Sequence, residues 1–466
     1  MANLGPLGYL GIGEADAALA CGQLTAPDLI NAVLSTIDEV DPAINAYVCL
    51  MAESARAEAQ ESHMRAISRE RRGPLDGIPI AVKDIFDTAG VTTTYGAAAF
   101  AGFVPRVDAH VDHRLRAAGA VIVGKTNTHE LARGTTTDNA FFGATRNPWD
   151  ITRHPGGSSG GSAAALAAGM TLGAVGSDTG GSVRIPAHMA GVTGLKPTFG
   201  LIGRTGAHPL VRSYDHIGPM ARSVADCALM LEAMVGPDLA DPDSAGRFPG
   251  GYRQLLSGDV AGFRVRVIRD FVDEADPEVR VLFQEGVRVL ERLGIAVDSW
   301  SIPKALDVDV KGAQLASRAE GYLGIHSMFA GDFHSITEPV RDRLDVGAAA
   351  TAADYLRGLE ARDRIEESVS QALTSCEMLI SPSYPYPAES VQPFDPRSND
   401  VRNASLFNAA RHPALSLPMG FVDGLPVGLQ MVGRMFDDAT VLQVGNAFQE
   451  VTTHHSKRPG AVSVTT

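Results

Sequence analysis

Two glycine- and serine-rich stretches constrain this chain more than anything else in it: HPGGSSGGSAAALAAG at 154–169 and GSDTGGSVRIPA at 176–187. Between them lie an alanine-rich segment of helical character and a short apolar run that reads as a strand near Thr171 to Val175. A helix from Gly161 to Ala168 advances about 12 Å, at ~1.5 Å per residue, and the strand returns by a similar distance at ~3.3 Å per residue. Out and back, Ser158 at the head of the helix meets the loop Asp178 to Ser182 at the end of the strand. Glycine allows close backbone approach and positive φ. The amides of Thr179, Gly180, Gly181 and Ser182 can then converge on one point, with the field of a helix N-terminus beside them. That is the makeup of an oxyanion hole with a serine at its edge. For either loop alone, a plain tight turn is the competing reading. A flexible linker is not, because alanine-rich helical sequence begins at once.

The rest of the chain alternates in the same manner. Thr25 caps a helix running to Val40, with Asp28 three residues on and Asp-Pro at 41–42 as its stop. IPIAVKD at 78–84 reads as a buried strand, and 108–126 as a helix, a glycine turn and a strand from Ala120. SVADCALMLEAMVG at 223–236 is a capped apolar helix. Strands at 262–268 and 295–300 flank a helix, and late strands fall at MLISPS and PVGLQMVG. Strands alternating with helices predict an α/β architecture on a largely parallel or mixed sheet. No repeat or linker divides the 466 residues, so a single domain is expected, with its motif-bearing core at 60–240. The region from about 300 to 400 is more helical and poorer in glycine, and is expected to form a lobe over the sheet.

Several functions are disfavoured. A net charge of −14 argues against nucleic acid as a direct partner, since phosphate binding needs clustered Lys and Arg. The four cysteines, Cys21, Cys49, Cys227 and Cys376, form no CxxC pair, which argues against a disulfide framework or a zinc knuckle. The first residues lack a signal peptide's basic start and apolar run, and no stretch suits a membrane span. A cytoplasmic protein is expected. GAVIVGKT at 119–126 matches the Walker A pattern, but its four variable residues are Ala-Val-Ile-Val, which favour a strand over a phosphate-cradling loop. DAHVDH at 108–113 resembles a metal cluster, yet it precedes a helix that Asp108 can cap. GGSSG fits the hydrolase elbow with Ser159 as its serine, but WDITRHP before it supplies no strand.

A serine hydroxyl needs a base. His154 and His188 lie beside the two loops, so a histidine-based triad is open. The other candidate is Lys83. Both faces of its strand are apolar, and a lysine there is uncommon unless paired or working. Burial lowers a lysine's pKa and frees a neutral amine. A strand-end lysine reaching water, or pairing with Asp84, is the plainer alternative.

GPLDGIPIAVKDIFDTAGVTTTYGA, AGAVIVGKTNTHELA, TRNPWD and the two serine loops, in this order, resemble the amidase signature family. The resemblance continues through GLKPTFG, DHIGPMARSVAD, HPALSLPMG and GLPVGLQMVG, over nearly the whole chain. It implies a large central mixed sheet covered by helices on both faces. It implies a Ser–Ser–Lys triad: Ser182 as nucleophile, Ser158 as the bridging serine on a cis peptide, and Lys83 as base. The amides of Thr179 to Ser182 would form the oxyanion hole, with Ser159, Asp178 and Arg184 in support. It further implies hydrolysis of a carbon–nitrogen bond in a small amide, anilide, carbamate or related substrate, with no metal or cofactor and often a homodimer. One branch of the family is the glutaminase subunit that passes ammonia to misacylated tRNA and needs a partner chain. The segment GLIGRTGAHPLVRSYDHIGP is closer to the free-standing amidases, which sets the expectation of a self-sufficient hydrolase. Gly134, Thr135, Thr136, Phe141, Phe142 and the loop from Arg204 to Tyr214 are expected to line the substrate pocket, although adjacent phenylalanines also suit plain packing.

Overall fold

The computed structural model describes residues 5–256, 258–393, 395, 397 and 400–460. Its core is an 11-stranded mixed sheet. In chain order the strands are β1 (Tyr47–Leu50), β2 (Pro79–Lys83), β3 (Val121–Thr126), β4 (Gly173–Asp178), β5 (Thr193–Lys196) and β6 (His216–Ala221). They continue as β7 (Arg264–Ile268), β8 (Ala296–Trp300), β9 (Met378–Pro382), β10 (Ala414–Val422) and β11 (Leu425–Gly433). Across the sheet they lie in the order β1-β3-β2-β4-β6-β5-β10-β11-β9-β7-β8. Every residue of β2, β3 and β4 is buried, as expected of strands covered on both faces.

β2 runs parallel to both neighbours, with Ile80 opposite Ile122 of β3 and Val82 opposite Val175 of β4. The C-terminal ends of the three strands therefore share one edge of the sheet, which is where open α/β sheets hold ligands. Lys83, Thr126 and Asp178 end these strands. The stretch 121–126 is strand from end to end, so the Walker-like residues form no phosphate loop.

The helix and strand between the serine loops are Gly160–Ala167 and Gly173–Asp178, so the strand starts and ends later than its apolar residues suggested. Thr25 does cap a helix, accepting from the Asp28 amide at 3.2 Å, but the helix runs on to Ile44 with Pro42 inside it. It ends at Asn45, in the left-handed conformation with φ 58°. The Asp41 carboxylate meanwhile takes the Ala46 and Tyr47 amides beyond the helix end. Asp108 caps no helix; its carboxylate accepts from the Ala89 amide at 2.7 Å, and Ala109 stands at the cap.

Between 300 and 400 three helices, Leu306–Met328, Glu338–Ala348 and Ala352–Ala372, precede β9. Small residues let the first and third approach closely: a Cβ on Gly358 would lie 2.5 Å from the Ala316 Cβ. Polar ties bind these helices to the segment after β3. Arg133 Nη2 donates to the carbonyls of Gly321 at 2.7 Å and Leu210 at 3.2 Å, and Glu130 accepts from the Thr337 amide at 3.2 Å. Among the described residues, no helix is long and apolar enough to cross a membrane.

Candidate active site

Lys83 is fully buried at the end of β2. Its Nζ is hydrogen-bonded to Ser158 Oγ at 2.7 Å and to Ser177 Oγ at 2.9 Å. No carboxylate lies within ion-pair distance of it among the described residues; Asp84 faces Lys125 instead, at 3.7 Å. Desolvation pulls the Lys83 pKa down to about 7, with the more distant charges of Asp178 and Asp215 acting the other way. Near neutrality a large share of this amine is uncharged.

The Gly157–Ser158 peptide is cis. The Thr137 hydroxyl, within reach of the Gly156 carbonyl at 2.9 Å and the Ser158 carbonyl at 3.2 Å, holds this stretch. Gly157 passes so close to 135–137 that a Cβ would lie 2.8 Å from the Thr136 nitrogen. Ser159 joins the two serine loops: its amide donates to the Ser182 carbonyl, and its hydroxyl bridges to the amide and carbonyl of Ser177, each at 3.3 Å.

Asp178 shapes the second loop. Its carboxylate accepts from the amides of Gly181 at 2.9 Å and Val183 at 3.2 Å, and from Arg184 Nε at 3.0 Å and Nη2 at 2.8 Å. Arg184, also fully buried, reaches on to the Ala404 carbonyl at 3.0 Å, Gln430 Oε1 at 2.8 Å and Asn408 Oδ1 at 2.7 Å. Gly181 adopts φ +122°, and a Cβ there would meet Ala404 and Ile185 at 2.7 Å. Because the Gly181 amide is taken by Asp178, it is not free to serve a ligand. Among the described residues, no side chain or loop carbonyl accepts from the amides of Thr179, Gly180 or Ser182. A Cβ on Gly180 would meet nothing within 4 Å, so that residue faces open space.

The open space is a cavity of about 730 Å³. Thr179, Gly180 and Ser182 border it on one side with Gly134 and Thr135, and Gln314 and Arg343 of the helical region on another. A smaller cavity of about 240 Å³ lies behind Ser177 and Thr179 and is walled by His208, Asp215 and His216. The 204–214 loop is shared between them: Arg204 and Thr205 line the smaller cavity, Val211 and Tyr214 the larger, and Leu210 both.

Thr136, Phe141 and Phe142 do not line either cavity. The Thr136 hydroxyl turns to His129 Nδ1 at 3.4 Å. The two phenylalanines sit on a short hairpin whose Asn139 side chain takes both their amides, and their rings pack edge to face at 4.6 Å. Phe141 is 48% exposed. His154 and His188 are buried but face Glu389 and the Tyr386 carbonyl respectively, not the serines. Among the described residues, no group of three His, Cys, Asp or Glu side chains is arranged to hold a metal.

A mixed-sheet α/β fold that sets a buried lysine against two serine-bearing glycine loops is the architecture of amidase signature enzymes, which act on carbon–nitrogen bonds. The amidase family model matches residues 28–442, and this chain belongs to that family. It is 39% identical to a glutamyl-tRNA(Gln) amidotransferase subunit of Chloroflexus aurantiacus, over 98% of this chain and 99% of that protein. The solved structure of the corresponding glutamyl-tRNA(Gln) amidotransferase subunit of Thermotoga maritima is 31% identical and superposes with a TM-score of 0.81, covering 97% of this chain and 96% of that one. A structure described as a vestigial protein complex revealing the origins of an s-triazine catabolic enzyme is 35% identical, with a TM-score of 0.89, covering 95% and 98%.

These likenesses correct one expectation. A protein whose partners are a small molecule and at most a second copy of itself, with no link to nucleic acid, does not fit relatives named as one subunit of a tRNA amidotransferase, nor a neighbour solved as a protein complex. Net charge and an enclosed site report on a chain's own surface; they carry no information about which other chains dock on it.

Proposed function

We propose that this chain is the amide-hydrolysing subunit of an amidotransferase-type assembly, releasing ammonia from glutamine through Lys83, Ser158 and Ser182. The observation that carries the chemistry is the buried contact of 2.7 Å between Lys83 Nζ and Ser158 Oγ. The near-full-length match to amidotransferase subunits supports the assembly.

In this reading the neutral Lys83 amine accepts the Ser158 hydroxyl proton while Ser158 Oγ takes the proton of Ser182. Ser182 Oγ bonds to the amide carbon, and the carbonyl pair moves onto oxygen. The free amides of the 179–182 loop receive that oxyanion, each donor contributing about 3–4 kcal/mol in comparable sites. Collapse of the intermediate breaks the C–N bond. The leaving nitrogen takes the proton back from Lys83 by way of Ser158, and departs as ammonia. Water then attacks the acyl–Ser182 ester through the same relay and frees the acid. Lys83 ends neutral and Ser182 protonated, so the cycle closes. Ser159, Asp178 and Arg184 hold the two loops in register.

Purification of the tagged chain from its native host, followed by identification of co-purifying proteins and a glutaminase assay of the complex and of the chain alone, tests the proposal. A stable partner and glutamine turnover enhanced by it are expected. Turnover of anilides or carbamates by the single chain, with glutamine inert in both forms, would replace it with a self-sufficient amidase.

A further inference from the structure

The loop that carries Ser182 has two ends, and Asp178 accounts for only one of them. Toward its C-terminal side, Asp178 pins the amides of Gly181 and Val183. At its N-terminal side Asn408 Nδ2 holds the Asp178 carbonyl at 2.9 Å, and beyond that peptide stand Thr179 and Gly180, of which only Thr179 has a side chain able to hold the backbone in place. Its hydroxyl donates to Asp215 Oδ1 at 2.5 Å. The same carboxylate accepts from the Leu210 amide at 2.9 Å and from the Val211 amide at 3.0 and 3.1 Å. Asp215 therefore ties the 179–182 loop to the 210–214 wall of the substrate cavity, at the partition between the large cavity and the small one.

We propose that Asp215 is a positioning residue for amide hydrolysis: through Thr179 Oγ1 it fixes the amide of Gly180 relative to Ser182. The inference rests on the Ser182 reading given above. A hydrogen-bond donor aimed at a developing oxyanion stabilises it only if it is already in place when charge develops. Gly180 cannot hold that geometry unaided, since glycine carries the greatest backbone freedom of any residue. A carboxylate held by two backbone amides is a fixed anchor, and the threonine hydroxyl transmits that fixity to the loop.

The charge of Asp215 has a second effect. Lys83 feels it, as does Arg133, and Arg204 closes over the Asp215 carbonyl at 3.5 Å. His208 and His216, which wall the same small cavity, are held neutral by burial, so they add no compensating charge. Burial pushes the Asp215 carboxyl itself up to about 6, against the hydrogen bonds of Thr179, Val211 and Leu210 and the charge of Arg204.

The experiment uses the full-length chain, with its partner if one co-purifies, and two readouts: steady-state turnover of the best amide substrate, and covalent labelling of Ser182 by a fluorophosphonate probe. Asp215→Asn is expected to lower kcat by about 10- to 100-fold, the scale of a small misplacement of reacting groups, with KM changed little. Its acid limb is expected at lower pH, because a negative charge near Lys83 has gone. Thr179→Val is expected to reproduce the loss in kcat without moving the acid limb, Thr179→Ser to restore most of it, and the double variant to be no worse than Asp215→Asn alone. A folded Asp215→Asn with kcat within about twofold of wild type, or losses that multiply in the double variant, would overturn the proposal. If Asp215→Asn does not fold, the comparison of Val with Ser at position 179 decides in its place. A wild-type protein with neither turnover nor labelling at Ser182 would instead remove the parent reading and the inference together.

Discussion

The guanidinium of Arg184 grips both carboxylate oxygens of Asp178, at 2.8 and 3.0 Å, with neither side chain exposed to solvent. Burial alone would raise the Asp178 pKa; the charge and hydrogen bonds of Arg184 outweigh it and hold the group well below the usual carboxylate range. Arg184→Met leaves that carboxylate buried without its counter-charge, and is expected to cost about 3–5 kcal/mol. Urea denaturation measures it. Because the folded-state pKa is depressed, the stabilisation from Asp178 is present above its unfolded value and is lost as pH falls below ~4.

Lys83 predicts a pH profile. Activity is expected to rise with pH through about 7, the value to which burial lowers the amine. Lys83→Met is expected to remove turnover yet raise the thermal midpoint at neutral pH. Between about 7 and the ordinary 10.5 the unfolded chain holds one more proton at this residue than the folded one, so this group's contribution to stability grows as pH rises across that window. The methionine variant is freed of that cost. A lower midpoint would mean the lysine is structural.

Ser182 makes no side-chain hydrogen bond among the described residues, so Ser182→Ala is expected to leave stability unchanged. Its turnover should fall by about 10⁴–10⁶-fold, the range seen when a serine nucleophile is removed. Single-turnover assays with a burst readout, beside calorimetry, separate the two effects.

The adjacent glycines separate function from folding. Gly180→Ala adds a methyl to open space, so stability should hold while KM rises because the methyl enters the cavity. Gly181→Ala forces an L-residue to φ +122° and a contact of 2.7 Å with Ala404, so it should lower stability first. Thermal melts should separate the two, with the midpoint held in Gly180→Ala and lowered in Gly181→Ala, while KM should rise in Gly180→Ala.

Because 121–126 is a buried strand, ATP with magnesium is expected to leave the melting temperature unmoved. A shift of several degrees would revive a nucleotide site.

The two serine loops were legible because their physics is local: glycine, a short helix and a returning strand determine where they meet. Lys83 stood out because a charge in a doubly apolar strand needs a reason. Gln430 offered the same signal, a polar side chain inside PVGLQMVG, and it is a partner of Arg184. Ser177, the second partner of Lys83, carried no signal beyond being next to Asp178. The cavity's far wall was not legible at all. Gln314 and Arg343 sit on helices whose sequences look like ordinary solvated faces, and docking through Arg133 and Glu130 places them at the cavity. Phe141 and Phe142 mislead for the reverse reason: apolar residues near a motif suggest a pocket, while Asn139 holds them on a surface hairpin.

Arg184 bonds to Ala404, Asn408 and Gln430, residues more than 200 positions later in the chain. A growing polypeptide that has already made its serines, its lysine and their strands still lacks the anchor points of that guanidinium. The buried pair of Asp178 and Arg184 that shapes the second serine loop therefore gains its full set of partners only once the chain has been made through Gln430.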